Sequence, residues 1–197
     1  MSIDREKVDS LEELAQKCLQ NDPIAQRLLY ENLAGKMLAV CNRYVGSRET
    51  AKDVMHDGFI VLFEKLGSYS GVGSFEGWAR KIFVNVALMH LRKFDVLRFS
   101  EPVDSHAPLS SLISSELDQF STQELMMCIA SMPLGFRAVF NLFAIEGYPH
   151  NEIAKMLRIS ENTSRSQYVR ARRWLQHRIK NVSNKKVENK RDESFEE

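Results

Sequence analysis

A concentration of basic side chains between residues 150 and 180 is the part of the sequence best suited to binding a charged polymer. Eight Lys or Arg residues accompany two Glu residues there, a local net charge of +6, whereas the whole 197-residue chain carries only +1. Such a patch binds a phosphate backbone by displacing its counterions. The pattern therefore predicts nucleic-acid binding. A merely solvated basic helix is the alternative.

Two helical patterns organise this basic segment. Residues 151–157 place Ile153 and Leu157 on one helical face, and a tight break at 158–160 leads into a second pattern capped by Ser160. This order predicts a helix-turn-helix, whose second helix enters the major groove of DNA. A merely solvated basic helix would leave the helix-turn-helix pattern unexplained.

Residue types that could support catalysis or metal binding are present but not grouped. Cys18, Cys41 and Cys128 lie far apart with no Cys-x-x-Cys pair, which predicts buried or half-buried, reduced thiols. The histidines form no nucleophile–base grouping, and no Gly-rich phosphate loop occurs. The sequence predicts no catalytic residue, metal, cofactor or small-molecule substrate, which disfavours a nucleic-acid-modifying enzyme. The polar N-terminus and the lack of a bilayer-length apolar run predict a cytoplasmic protein.

The elements that position these residues are predicted to be helices throughout. Only nine Gly and five Pro interrupt long stretches of 3.6-residue periodicity, which predicts an all-α fold. Apolar positions predicted to face inward include Ile24, Leu28, Ile60 and Met89. The predicted helices cover about 10–19, 22–46, 49–66, 75–93, 122–131, 133–146, 151–157 and 160–180.

A change of composition at residues 94–119 divides the chain. This segment contains Pro102, Pro108, six serines and an excess of acids, which predicts a flexible acidic linker. We therefore expect two small helical domains, residues 1–93 and 120–180. Residues 181–197 are almost free of apolar side chains and are predicted to form a disordered tail.

Three blocks in order resemble an extracytoplasmic-function (ECF) sigma factor, the smallest kind of bacterial RNA polymerase specificity subunit. Residues 53–66 (DVMHDGFIVLFEKL) resemble the family's core-polymerase-binding helix, and residues 75–93 (FEGWARKIFVNVALMHLRK) resemble its promoter-melting helix. Residues 132–140 (MPLGFRAVF), followed by the helix-turn-helix, resemble its −35-binding domain. The resemblance spans roughly residues 20–180. It implies an N-terminal region 2-like bundle and a C-terminal region 4-like domain.

The resemblance implies promoter DNA, both double- and single-stranded, as a ligand. At the −10 element, Tyr69 and its Gly-rich loop would hold a flipped base, Asn85 would contact a base edge, and Arg80 and Lys81 would contact phosphates. Trp78 is interpreted as core packing. At the −35 element, the family's base-contacting positions align with Arg165, Ser166, Val169 and Arg170. Thr163, Arg172 and Arg173 are better placed to contact the backbone.

The resemblance also implies core RNA polymerase as the main partner, contacted by Asp53, Asp57 and Phe59. For Asp53 and Phe59, a helix N-terminal charge and core packing remain alternatives. Anti-sigma factors are common partners in the family, and the sequence identifies none. A stand-alone helix-turn-helix regulator is the alternative function.

Two residues depart from the family pattern in the helix-turn-helix. Pro149 stands where Ser or Thr usually caps the first helix, and Arg158 occupies a turn position where Gly is common. If Arg158 adopts a positive φ, we expect a cost of about 1 kcal/mol. Neither departure touches the base-contacting positions.

Overall fold

The computed structural model describes residues 9–93 and 120–193, and every regular element within these ranges is helical. The predicted all-α fold is therefore confirmed. The predicted linker, residues 94–119, lies outside the described residues. The described residues divide into two compact units: 9–42 and 47–90 form the first, and 91–93 and 120–193, with 43–46, form the second.

Four helices build the first unit, and local capping sets where they begin. Ser10 and Glu13 form a reciprocal capping box at the first helix. Asp22 Oδ1 accepts hydrogen bonds from the amides of Ile24 and Ala25, at 2.8 and 3.2 Å, directly before the second helix. The helices are α1 (Leu11–Leu19), α2 (Pro23–Val45), α3 (Arg48–Lys65, followed by a 3₁₀ turn at Leu66–Ser68) and α4 (Phe75–Lys93).

Aromatic side chains join α2, α3 and α4 in the core of this unit. The ring of Phe59 on α3 lies 4.5 Å from that of Tyr30 on α2 and 5.0 Å from that of Phe83 on α4. Offset and edge-on ring contacts of this kind stabilise beyond the area they bury. The predictions that placed four apolar residues inward are wrong, because these side chains are exposed: Ile24, Leu28, Ile60 and Met89.

Gly58 sets the distance between α3 and α4. A Cβ added at Gly58 would lie 2.4 Å from Cδ1 of Phe83, and Phe83 is fully buried. The two helices approach this closely because Gly58 has no side chain.

The second unit contains four further helices and one π-helical turn. Ser121 and Glu124 form a capping box at the start of α5. Phe136 on α6 packs with Met132 and with Ala171 of the last helix, and Trp174 and Leu175 lie against this cluster. The elements are α5 (Thr122–Ala130), α6 (Leu134–Phe140), the π turn (Asn141–Ile145), α7 (His150–Leu157) and α8 (Glu161–Glu193).

Helix α8 is longer than the sequence predicted. Residues 181–193, predicted as part of a disordered tail, continue the helix. Six of these thirteen residues are Lys, Glu or Arg, which have high helix propensity and support the helix.

Candidate nucleic-acid interface

The N-terminal part of α8 carries the four residues that were predicted to contact bases, and we call them the base-facing stripe after that prediction: Arg165, Ser166, Val169 and Arg170. Arg165 and Ser166 are exposed, Val169 is 37% exposed, and Arg170 is half-buried. On a helix with 3.6 residues per turn these positions fall on one side. Tyr168 and Ala171 lie on the opposite, packed side. The stripe combines guanidinium donors with a hydroxyl and a small apolar group, which suits contact with base edges.

Ser160 begins α8 as its N-cap residue. Its Oγ accepts a hydrogen bond from the Thr163 amide at 3.0 Å and lies 2.7 Å from the Thr163 hydroxyl. The Ser166 hydroxyl donates to the Thr163 carbonyl at 3.0 Å. Because its hydrogen is used within the helix, Ser166 presents an acceptor to a ligand. Of the three predicted backbone contacts, Thr163 and Arg173 are half-buried and Arg172 is exposed.

Two residues beside the stripe were not anticipated from the sequence. Glu161 pairs with Arg165 at 2.5 Å, and both side chains are substantially exposed. Such a pair contributes little stability and competes with any other ligand of Arg165. Asn162 is exposed and lies four residues before Ser166 and seven before Val169, so it shares their face. Helical spacing alone could have identified it.

The turn between α7 and α8 has the backbone that the sequence departures suggested. Pro149 is the N-cap of α7, with extended backbone and no side-chain cap. Arg158 ends α7 with φ 56° and ψ 45°, the left-handed conformation, and the amide of Ile159 donates to the Ala154 carbonyl at 3.0 Å. The turn therefore forms although Arg158 carries a Cβ.

His150 connects the two helices of this motif. Its ring stacks on Phe143 of the π turn, with centroids 4.3 Å apart and planes inclined by 10°. Its Nδ1 lies 2.9 Å from Oγ of Ser164, which is fully buried on α8. Burial, followed by the nearby Arg165 charge, lowers the pKa of His150 from 6.5, and Glu161 opposes this shift. This shift in the pKa favours the neutral form of the ring.

The second unit also holds an apolar groove of about 580 Å³, on a different side of α8 from the base-facing stripe. Its lining is almost entirely hydrocarbon and offers few polar groups to orient a small ligand. The groove is lined by Thr122, Leu125, Met126, Ile129, Phe140, Ala144, Ile145, Tyr168, Arg172, Leu175, Gln176 and Ile179.

In the first unit, Tyr69 closes the loop that precedes α4. Its hydroxyl donates to the Gly73 carbonyl at 2.7 Å, and its ring packs edge-on against Phe75 and tilted against Trp78. Gly71 and Gly73 both have φ near +77°, so this compact loop requires glycine. Trp78 is half-buried within this aromatic group, consistent with a packing role.

Side chains from α1 and α2 anchor the first turn of α4. The Phe75 amide donates to Glu12 Oε1 at 3.1 Å, and Lys36 pairs with Glu76 at 2.5 Å. A carboxylate at a helix N-terminus is favoured by the helix dipole. These contacts fix the end of the Tyr69 loop relative to the bundle.

Lys81 and Asn85 lie four residues apart on α4 and are exposed on one face. Met89, four residues further, continues this face and was wrongly predicted to be buried. Arg80 is half-buried, and at 100° per residue it points well away from Asn85. The structure therefore groups Lys81 and Asn85 but not Arg80.

The predicted polymerase-contacting residues on α3 separate into two kinds. Asp53 and Asp57 are exposed, four residues apart on one face. Phe59 is only 4% exposed and packs in the aromatic core, which corrects its assignment as a contact residue. His56 and Ile60 are exposed beside the two acids and were missed, although the same helical spacing identifies them.

Within residues 9–93 and 120–193, no three His, Cys, Asp or Glu side chains are grouped to hold a metal ion. Cys18, Cys41 and Cys128 are buried free thiols, as predicted. Among the described helices, none has the length and hydropathy to span a bilayer.

Each of the two units contains residues that match a known protein family. Residues 29–95 match the family model for sigma-70 region 2, and residues 122–175 match that for sigma-70, region 4. The chain is 26% identical over 183 residues to the ECF RNA polymerase sigma-E factor of Haemophilus influenzae, covering 84% of this chain and 93% of the relative. It is 27% identical over 180 residues to the RNA polymerase sigma-H factor of Pseudomonas aeruginosa, covering 82% and 89%.

A solved structure, that of the sigma factor RpoE in complex with the anti-sigma factor NepR from Bartonella quintana, has a TM-score of 0.46 and 20% identity, covering 78% of this chain and 96% of that one.

Proposed function

Because the chain belongs to the ECF subfamily of RNA polymerase sigma factors, which act in transcription initiation, we propose that it binds core polymerase and selects promoters with its two helical units. The first unit binds polymerase and the −10 element, and the second unit binds the −35 element. The chain supplies no chemistry of its own, and polymerase makes the transcript. The observation that carries this proposal is the base-facing stripe on the capped second helix of a helix-turn-helix.

At the −35 element, the stripe enters the major groove. Arg165 and Arg170 donate to guanine, Val169 contacts a thymine methyl group, and Ser166 accepts from a base amino group. Thr163 and Arg173 contact the phosphate backbone. The exposed N-terminal amides of α8 add a favourable field for phosphate.

At the −10 element, the loop closed by Tyr69 holds an unpaired base. The aromatic side chains behind the loop offer a stacking surface, and the exposed Lys81 and Asn85 lie further along α4 to contact the strand. Arg80, on another side of α4, contacts a phosphate at the margin of this site. The anchoring of Phe75 by Glu12 supports the proposal, because a preorganised loop loses less entropy on capturing a base.

Core polymerase contacts the exposed face of α3. Asp53 and Asp57 provide negative charge there, and Ile60, 59% exposed between polar neighbours, provides an apolar contact. Exposed apolar side chains surrounded by charge are typical of protein interfaces. An anti-sigma factor is a further partner that we propose for the same exposed surfaces.

In vitro transcription with purified core polymerase and a promoter library tests the whole proposal. Template-specific initiation should occur only when this chain is added. Operator binding by the chain alone, with no effect on polymerase, would instead favour a stand-alone regulator.

Variants in this assay test the −35 site. Arg170→Ala should weaken initiation and relax the preference at one −35 position, because one bidentate base contact contributes about 1–3 kcal/mol of discrimination. Arg178→Ala is the matched control, since Arg178 is exposed on the same helix about two turns further along. An unchanged sequence profile for Arg170→Ala would remove that residue from the site.

The remaining sites have separate readouts. Asp57→Ala should reduce association with polymerase. Glu49→Ala should not, because Glu49 is an exposed acid near the start of the same helix and serves as the control.

Tyr69→Ala should reduce permanganate reactivity of the −10 thymines more than Tyr69→Phe, which keeps the stacked ring and loses only the hydrogen bond to Gly73. Equal melting by both Tyr69 variants and the parent would refute the loop's role.

A further inference from the structure

A polar contact joins α7 to the buried side of α8. Ser164, fully buried, immediately precedes Arg165 of the base-facing stripe, and its Oγ lies 2.9 Å from Nδ1 of His150. A buried hydroxyl without a partner would cost about 1–3 kcal/mol. The His150–Ser164 bond is therefore expected to persist in the folded chain.

Resting on the proposed −35 function, we propose that His150 is a positioning residue that fixes the rotation of α8 and so aims the base-facing stripe at the major groove. Its hydrogen bond to Ser164 sets the angle of the helix about its own axis. Its stack on Phe143 holds the imidazole in place for that bond.

Apolar packing alone leaves this rotation loosely defined. Hydrophobic contacts are non-directional, whereas a hydrogen bond weakens steeply when its geometry changes. A rotation of α8 by about 15° would move an atom roughly 6 Å from the axis by about 1.5 Å. That displacement is enough to break a bidentate bond between Arg165 and guanine. Base selection thus depends on a contact that touches no base.

The bond depends on the protonation state of the imidazole. A neutral imidazole offers one donor and one acceptor, whereas the imidazolium offers donors only. We assign Nδ1 as the acceptor of the neutral ring, so that the Ser164 hydroxyl donates to it. On protonation this hydroxyl must direct its hydrogen elsewhere, and the new charge faces Arg165 as well as Glu161 on α8. Tyr168 of α8 and Phe143 of the π turn complete the surroundings of the ring. Acidification should therefore loosen the alignment of α8.

The test uses reconstituted holoenzyme and two competing promoters with the same −10 element. One has the preferred −35 sequence and the other a scrambled one, and the transcript ratio is measured from pH 7.5 to 5.5. The ratio cancels the pH dependence of polymerase itself and any general attraction to phosphate. The variants are His150→Phe, which keeps the stack and loses the bond, Ser164→Ala, and both together. His177→Phe is the control, because His177 is exposed further along the same helix.

We expect His150→Phe and Ser164→Ala each to lower the ratio at pH 7.5 by about 3- to 10-fold, as for loss of one hydrogen bond. The double variant should lose no more than either single variant, because both remove the same bond. The parent ratio should fall on acidification, and that of His150→Phe should stay constant. His150→Asn, whose amide oxygen can occupy the place of Nδ1 and accept from the Ser164 hydroxyl, should restore the ratio at pH 7.5 without its pH dependence.

Two results would overturn the proposal. One is a parent-like ratio and parent-like pH dependence in His150→Phe. The other is an equal loss of transcripts from both promoters in every His150 variant, Asn included, which would mean a role in folding only. Failure of the parent chain to support specific initiation would instead count against the proposed function itself.

Discussion

Replacing Gly58 with alanine should destabilise the first unit although alanine is the better helix former. The added Cβ would lie 2.4 Å from Cδ1 and 2.5 Å from Cε1 of Phe83, far inside the ordinary carbon–carbon contact distance of about 3.5–4.0 Å. Phe83 is fully buried and packs edge-on against Phe59, so its ring has no open space to enter. The helices α3 and α4 must therefore separate.

Two opposing effects determine how much Gly58→Ala changes the free energy of unfolding. Helix propensity favours alanine over glycine by about 1 kcal/mol. Overpacking of a close-packed core costs about 1–3 kcal/mol, and a clash of more than 1 Å lies at the upper end of that range. We expect a net loss of about 1–2 kcal/mol in the free energy of unfolding. For a domain of this size, each kcal/mol lowers the melting temperature by about 4–8 °C.

Gly35→Ala provides the matched control. Gly35 lies within α2, is exposed, and would place its Cβ more than 4 Å from other side chains. Only the propensity effect remains there, so the same substitution should stabilise by up to about 1 kcal/mol. The two glycine-to-alanine changes should have opposite signs.

Urea denaturation followed by tryptophan fluorescence measures both effects. In a Trp174→Phe background the remaining Trp78 reports on the first unit alone, because it lies among Tyr69 and Phe75. If Gly58→Ala proves as stable as the parent or more so, the close approach of α3 and α4 is not what requires glycine, and the reasoning fails.

Three further predictions concern the second unit. Glu161→Gln should strengthen −35-dependent initiation about twofold, because it frees Arg165 and removes a negative charge near phosphate. The control is Glu31→Gln, at a comparably exposed ion pair on α2, which should have no effect in the same competition assay. Ser121→Ala should cost about 1 kcal/mol of unit stability by removing the capping box, and unchanged denaturation would contradict this. Because its folded pKa is lowered, His150 contributes stability that is present above pH 6.5 and lost as the pH falls through the folded pKa. His150→Phe should remove that part of the acid dependence of unfolding, and an identical pH–stability curve would refute the assignment.

Local signals in the sequence predicted where most helices begin and end. Ser10, the Asp22–Pro23 pair and Ser160 each cap a helix at the expected place. Arg158, at a turn position where Gly is common, is left-handed. These signals work because a cap satisfies backbone groups within a few residues of itself. No distant part of the chain is needed to interpret them.

The direction in which side chains point was harder to predict. Helix α3 has apolar residues around most of its circumference, so periodicity could not show that Phe59 is buried while its neighbour Ile60 is exposed. That choice depends on Tyr30 and Phe83, which lie on other helices. For the same reason the resemblance wrongly placed Phe59 at a binding surface.

The π turn could not be predicted from the sequence. Residues 133–146 have ordinary helical periodicity, and only the structure shows the wider turn at Asn141–Ile145. This turn carries Phe143, whose ring supports both His150 and Tyr168. The polar contact between His150 and Ser164 could not be predicted from the sequence either, because the two residues are 14 positions apart and the geometry of the turn between them was unknown.

The length of α8 has a practical consequence for experiments on this chain. From Arg170 to Glu193 the helix continues for 23 residues, which corresponds to about 35 Å at 1.5 Å per residue. A fluorophore or affinity handle attached after Glu193 would thus be carried well away from bound promoter. The same attachment before α1 would lie close to the Glu12 contact that anchors the end of the Tyr69 loop. A label is therefore better placed after Glu193.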